Sequence, residues 1–296
     1  MRRFPRPWGF PRSWVDDLLA ALLPSPCAVC GRMTASVGER GVCLGCWSGI
    51  EFLTSPACPR CGRPHAAFED DDLAGVPCGG CATKPPPFDS GISMGAYRGS
   101  LRALIRLLKF EDRPDLAAPL AARAVAYLAA RPVPLLQTDV IVPVPLAPLR
   151  RLRRGYNQSA ELARELSTRL ATPCAPHALR RLGGARPQAR LPAALRAANV
   201  RGAFRTSRGA LLVGQAVLLV DDVWTTGATI RECTRALRAG GAARVVAFTL
   251  ARAVDDFDAS LHGSLYSAVP SDLPETPDAL AHPAPSPAAR PRRGRR

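Results

Sequence analysis

Between Val217 and Thr229 the chain reads VLLVDDVWTTGAT, and the residue types in that run suit a phosphorylated sugar. Four apolar residues, Val217 to Val220, are too few for a helix and read as a buried parallel strand. Asp221 and Asp222 stand at the expected exit of that strand, followed by Thr225, Thr226, Gly227, Ala228 and Thr229. A helical pattern begins at about Thr229 (IRECTRALRAGG). Loop N–H groups and the positive end of such a helix hold a phosphate dianion. The threonine hydroxyls add donors, and glycine permits close backbone approach. The two carboxylates are placed to accept hydrogen bonds from vicinal ribose hydroxyls or to help order a bound Mg²⁺.

A second candidate segment follows the run DVIVPVP. Pro145 to Gln158 (PLAPLRRLRRGYNQ) leaves the carboxyl end of an expected strand, carries four arginines and closes at Gly155 before a helix. That arrangement suits a pyrophosphate group. Arg150, Arg151, Arg153 and Arg154 supply countercharge, and Arg154, Gly155, Tyr156, Asn157 and Gln158 form the expected site-facing end. Arg180 to Phe204 has the length and composition of a lid, from which Arg186 and Gln188 would reach a developing pyrophosphate. Lys109 is one of only two lysines in a chain with 38 arginines. Its survival suggests that a compact ammonium is required there, on the pyrophosphate side.

Eight of the ten cysteines fall into four CxxC pairs: Cys27 and Cys30, Cys43 and Cys46, Cys58 and Cys61, Cys78 and Cys81. Two intervening residues let both thiolates face one tetrahedral ion while backbone N–H groups point at sulfur. Four pairs supply two Cys₄ zinc sites. Sequential pairing is the simplest arrangement, and an interleaved one has the same composition. Filled coordination makes such sites structural, their metal supplying folding energy to a module with few large apolar residues. Disulfides are the competing use, but the basic N-terminus with its short apolar run, Leu18 to Leu23 after Asp16 and Asp17, does not have the pattern of a cleaved signal. Regular CxxC pairing in a cytosolic context favours metal.

The elements that must position these groups alternate strand and helix from about Ile92 to Arg252, the pattern of a parallel α/β sheet. Strands are expected at Ile92 to Tyr97, Asp139 to Pro145, Val217 to Val220 and Arg244 to Arg252. Helices are expected at Ser100 to Phe110, Asp115 to Ala130 and the run NQSAELARELSTRL, with Asn157 or Ser159 as cap. The expected organisation is an arm with a short amphipathic helix over 1–23 and a double zinc ribbon over 24–84. A Pro85 to Pro87 connector then leads to an α/β domain over 88–252, and a Pro/Ala/Arg tail over 253–296 is expected to be disordered. Net charge of +16 favours polyanions, nucleic acid or pyrophosphate. Aromatics make up only 6% of the chain, with Trp47, Phe52 and Phe68 near the ribbons, so base stacking has little to build on.

The VLLVDDVWTTGAT run resembles the PRPP-binding motif of the type I phosphoribosyltransferases at every position except Trp224, where a small aliphatic residue is usual. Trp224 is expected to narrow the site or to offer a stacking face. With the double CxxC ribbon, further marks give a resemblance to the ComF/GntX family over roughly Leu18 to Arg252. Tyr97, Gly99, Leu104, Ile105, Lys109 and Phe110 carry one, and RGYNQ at Arg154 to Gln158 another. The last comprises Pro187, Gln188, Leu191, Arg196, Asn199, Val200, Ala203 and Phe204.

The resemblance implies a Rossmann-like phosphoribosyltransferase domain behind a zinc module, in a protein that acts in competence and DNA utilisation. It implies a Mg²⁺-dependent transfer of ribosyl 5-phosphate from PRPP with release of pyrophosphate. Arg154 would stabilise the leaving charge, while Asp221 and Asp222 hold the ribose or act as acid and base. The alternative is a non-catalytic PRPP sensor whose ribbons and basic face hold single-stranded DNA, a helicase or a channel protein. No acceptor-recognition element is legible, and no membrane insertion is expected.

Overall fold

A computed structural model of the chain describes residues 25–34, 39–53, 57–65, 75–130, 137–147, 151–152, 154–182, 200–207, 209–210, 212–253 and 266–267. The expected N-terminal helix and Arg150, Arg153, Arg186, Gln188 and Phe68 lie outside these residues, as does nearly all of the expected tail.

Ten strands are described: β1 (Ser25–Pro26), β2 (Met33–Thr34), β3 (Phe52–Leu53), β4 (Ser90–Ala96), β5 (Val140–Pro143), β6 (Leu179–Arg181), β7 (Phe204–Thr206), β8 (Ala216–Trp224), β9 (Arg244–Arg252) and β10 (Tyr266–Ser267). The helices are α1 (Leu44–Ser48), α2 (Gly79–Thr83), α3 (Gly99–Phe110), α4 (Ala117–Ala129), α5 (Gln158–Leu170) and α6 (Ala228–Ala239). The main sheet has the order β10-β3-β4-β9-β8-β5. Its four long-chain neighbours β4, β9, β8 and β5 are parallel, while β3 joins β4 antiparallel through Phe52 and Gly95.

Alternation along the central strands sorts their side chains onto two faces. Leu218, Val220, Val246 and Phe248 point to one face, where α3 packs Leu101, Leu104, Ile105 and Leu108 and α4 packs Leu120, Ala121, Ala124 and Leu128. Val217, Leu219, Val245 and Ala247 point to the other, against Ile230, Cys233 and Leu237 of α6. The apolar spacing of three and four residues in each helix makes that single-sided burial possible. Cys27, Cys46 and Trp47 belong to the first face, and Cys58, Cys61 and Cys81 to the second. The two cysteine groups thus clasp opposite faces of one sheet, with β3 between them extending its edge.

Two expectations need correction. Asp221 and Asp222 do not follow the strand: β8 runs on to Trp224, and Asp221 pairs with Thr249 and Trp224 with Arg252 across the ladder. The strand outlasts its apolar run because β9 continues beside it. The expected lid is not loop throughout, since its two ends form the antiparallel pair β6–β7, Arg181 opposite Phe204. Trp47 and Phe52, the aromatics near the ribbons, belong to the core. Trp47 is buried beneath the Arg123 guanidinium, and Phe52 is buried and stacked on Tyr127.

Candidate functional site

The acidic pair lies near the carboxyl end of β8, beside the first turn of α5. Asn157 caps α5 by accepting from the Ser159 N–H at 3.2 Å, while its Nδ2 donates to the Val144 carbonyl at 3.0 Å. That cap turns the next two side chains toward β8. Gln158 Nε2 donates to Asp222 Oδ2 at 2.6 Å, and the Ser159 hydroxyl donates to Asp221 Oδ1 at 2.9 Å. From the end of α3, Lys109 Nζ reaches Asp222 Oδ1 at 2.7 Å. Arg154 Nη1 donates to Gln158 Oε1 at 3.0 Å, and its guanidinium lies 4.7 Å from the centre of the Phe110 ring.

Four expected site residues therefore form one chain of contacts, Arg154 to Gln158 to Asp222 to Lys109. Lys109 and Gln158, expected on the pyrophosphate side, instead hold the carboxylate. Both oxygens of Asp222 are engaged; Asp221 Oδ2 has no hydrogen bond among the described residues. Burial first, and then the charge of Asp222, push the Asp221 carboxyl up to about 7, against the pull of Lys109 and two hydrogen bonds.

Past Trp224 the chain turns through exposed Thr225 and Thr226 to Gly227, whose φ of 72° favours glycine and which caps α6. Thr226 Oγ1 accepts from the Ala228 N–H at 3.4 Å. Thr229 and Ile230 sit in the first turn of α6, where backbone N–H groups have no intrahelical acceptor. The loop and the acidic pair are thus brought together as expected.

Trp224 does not take the stacking role expected of it. It is 4% exposed, meets Phe88 edge-on at 5.3 Å and lies under the loop, so it supplies no open stacking face. A buried tryptophan at a strand end looks like any core residue in sequence.

The RGYNQ segment divides between two places. The Tyr156 hydroxyl donates to the Leu108 carbonyl, which fixes the loop on α3. On its far side the segment borders a cavity of ≈ 410 Å³ whose walls include Arg151, Tyr156, Arg164, His177, Arg180 and Arg181. Sequence reasoning missed this cavity because a third of its wall comes from β6 and the turn before it. Ser159 was noticed only as a possible cap, although its place directly after the motif was the available signal.

The cysteines form the two sequential groups, Cys27/Cys30/Cys43/Cys46 and Cys58/Cys61/Cys78/Cys81, with all four sulfurs in each within 4.8 Å of one another. Sγ separations of 3.8 Å for Cys27 and Cys46 and 3.7 Å for Cys61 and Cys78 match the edge of about 3.8 Å expected for four sulfurs at Zn–S distances of about 2.3 Å. Backbone N–H groups donate to Cys27 Sγ from Val29 and Cys43, and to Cys58 Sγ from Cys78. Burial raises Cys27 and Cys58, but these amides outweigh it and bring the thiols down to about 6 and about 7, while burial and the neighbouring sulfurs push Cys46 and Cys81 up. Both groups fit structural zinc, and none of these cysteines is in a disulfide.

Comparison with known proteins covers both parts of the chain. A family model described as "Double zinc ribbon domain" matches residues 18–82, and one described as "Phosphoribosyl transferase domain" matches residues 117–260. The chain is 35% identical over 232 residues to "DNA utilization protein YhgH" of Salmonella typhimurium, covering 78% of this chain and 98% of that one. It is 32% identical to "Competence protein F" of Haemophilus influenzae, with 75% and 95% covered, and 27% identical to "Competence protein ComFC" of Bacillus subtilis, with 72% and 85% covered. Among solved structures, a glutamine PRPP amidotransferase from B. subtilis aligns at a TM-score of 0.34 and 22% identity over 49% of this chain and 30% of that one. Among the described residues no helix is long and apolar enough to cross a membrane.

Proposed function

This chain belongs to the ComF family and pairs a double zinc ribbon with a phosphoribosyltransferase fold, and on that premise we propose that it binds PRPP with Mg²⁺ and transfers ribosyl 5-phosphate during competence or DNA utilisation. The observation that carries this reading is the placement of Asp221 and Asp222 directly before the Thr225–Thr229 loop, both acids held by side chains from other elements. The loop amides, Thr225, Thr226 and the start of α6 take the 5-phosphate. Asp221 Oδ2 accepts from a ribose hydroxyl. Arg154 supports the departing pyrophosphate from the α5 side.

Mg²⁺ fits this arrangement as a partner of PRPP oxygens more than of the protein, since Asp222 is already spent on Lys109 and Gln158. It would bring charge neutralisation to the pyrophosphate. The arginine-lined cavity beside Tyr156 is the place for an acceptor, and its charge favours an anionic one.

A second reading, PRPP binding without turnover, is favoured by one specific feature. Tyr156, Asn157 and Gln158 are committed to Leu108, Val144 and Asp222, which leaves few groups to activate a leaving pyrophosphate. In that reading PRPP is a signal, and the basic surface holds single-stranded DNA or a protein of the uptake machinery. Calorimetry of Mg·PRPP binding, with pyrophosphate release followed across nucleobases, nucleotides and DNA, tests both. Saturable heat lost in Asp221→Asn/Asp222→Asn supports the site; heat without release for any acceptor selects the sensor; no heat removes both.

A further inference from the structure

The second cysteine group and the loop after β8 are joined by a continuous series of close contacts. Gly62, the residue after Cys61, approaches β4 so closely that a Cβ there would lie 2.3 Å from the Gly91 carbonyl oxygen. A Cβ on Gly91 would meet Trp224 Cη2 at 2.6 Å, and one on Gly227 would meet Trp224 Nε1 at 2.7 Å. The indole is therefore pressed between β4, against which the knuckle residue Gly62 packs, and the turn that opens α6. Such a stack transmits displacement, because close-packed interiors deform little.

Arg252 supplies the electrostatic half of the connection. Its side chain is 6% exposed, its guanidinium carbon lies 4.4 Å from the centre of the Trp224 ring, and its Nη2 donates to the Cys61 carbonyl. No carboxylate among the described residues pairs with it, and its buried Nε has no hydrogen-bond partner there. A buried unpaired cation is costly. A zinc ion with four thiolates carries two net negative charges and so supplies the missing counter-ion. The first group has a different arrangement: Arg123, over Trp47, is already paired with Glu39.

We propose that Arg252 and Trp224 are positioning residues that couple the Cys58/Cys61/Cys78/Cys81 centre to the conformation of the Thr225–Gly227 turn, Arg252 as the buried countercharge of that centre and Trp224 as the spacer beneath the turn. The consequence for ligand binding rests on the phosphate-loop reading, whereas the coupling does not. One centre is then a part of the binding site at a distance, and the other stabilises the opposite face of the sheet.

The experiment uses the full zinc-loaded chain and its Arg252→Gln, Arg252→Lys, Trp224→Phe and Arg123→Gln variants. Zinc release to a chromogenic chelator counts and times the two ions, and amide hydrogen exchange read by mass spectrometry follows peptides spanning 223–231. Arg252→Gln is expected to speed release of one zinc and to raise exchange in the turn by about tenfold. The same variant should leave exchange in α3 and around Cys27 to Cys46 unchanged. Arg252→Lys, which keeps the charge, should restore slow release, Trp224→Phe should raise turn exchange with both zincs retained, and Arg123→Gln should leave the turn alone. If Arg252→Gln fails to fold, Trp224→Phe alone decides. Wild-type exchange in the turn of the folded variants overturns the coupling, whether or not the chain binds PRPP. Wild-type coupling with no PRPP heat removes the functional reading instead.

Discussion

Lys109 and Asp222, 113 positions apart in the chain, form an ion pair of 2.7 Å at the centre of the site, both side chains being largely buried. The lysine is carried by the last turn of α3 and the aspartate by β8, so the pair ties the helical layer to the strand that ends in the loop.

Breaking that pair should cost stability as well as binding. Lys109→Met leaves Asp222 with one charged partner fewer in a dry setting, and a loss of about 3 kcal/mol is expected in denaturant unfolding. Lys109→Arg keeps the charge but brings a planar fork where a point donor fits. Its expected effect is a roughly tenfold weaker PRPP affinity with much smaller loss of stability. Equal affinity in this variant would show that the ammonium is not required.

The raised Asp221 carboxyl gives a signed pH dependence. Its folded value of about 7 lies above the ordinary 3.8, so the folded state binds the extra proton. The associated stability is fully present below about pH 4 and is lost as pH rises through about 7. Asp221→Asn removes that titration while Asn Oδ1 still accepts from Ser159. The variant should therefore gain on wild type between pH 4 and 8, by on the order of a few kcal/mol at the upper end. Unfolding curves taken across this range check the sign, and parallel curves for the two proteins would contradict it.

Gly227→Ala tests the turn directly. A φ of 72° disfavours any side chain, and a Cβ there would lie 2.7 Å from Trp224 Nε1. A destabilisation of about 1–3 kcal/mol is expected, with Mg·PRPP affinity falling at least about tenfold. Zinc content should stay at two per chain. Calorimetry and metal analysis on the same sample separate a distorted turn from a lost ribbon.

Removal of metal should unfold more than the ribbon. Cys46 and Trp47 are buried with α3, and Cys61 with β8 and β9, so stripped zinc leaves both faces of the sheet uncovered. Chelation is expected to lower the thermal midpoint by more than about 10 °C and to release two zinc ions. An unchanged midpoint after complete release would mean that the sheet stands without its clasps.

The types and order of the elements were legible because periodicity and spacing are local properties. The period of three and four in LRALIRLL, the unbroken apolar run before Asp221 and the four CxxC pairs each follow from a few neighbouring residues. Those same short windows marked the loop Thr225 to Thr229 and Gln158, whereas Lys109 stood out through composition, as one of two lysines in the chain. Nothing local, however, says that β8 continues past its apolar run, because that depends on β9 lying alongside.

The roles of individual polar residues were settled only by tertiary structure. Lys109 and Gln158 became partners of Asp222, Tyr156 became a brace on α3, and Trp224 went under the loop instead of facing it. The hydrogen bonds and ion pairs that assign these roles join positions tens to more than a hundred residues apart. A sequence specifies which donors, acceptors and charges exist. Which donor meets which acceptor depends on the crossing of helices and strands, and only the folded chain brings those groups within reach.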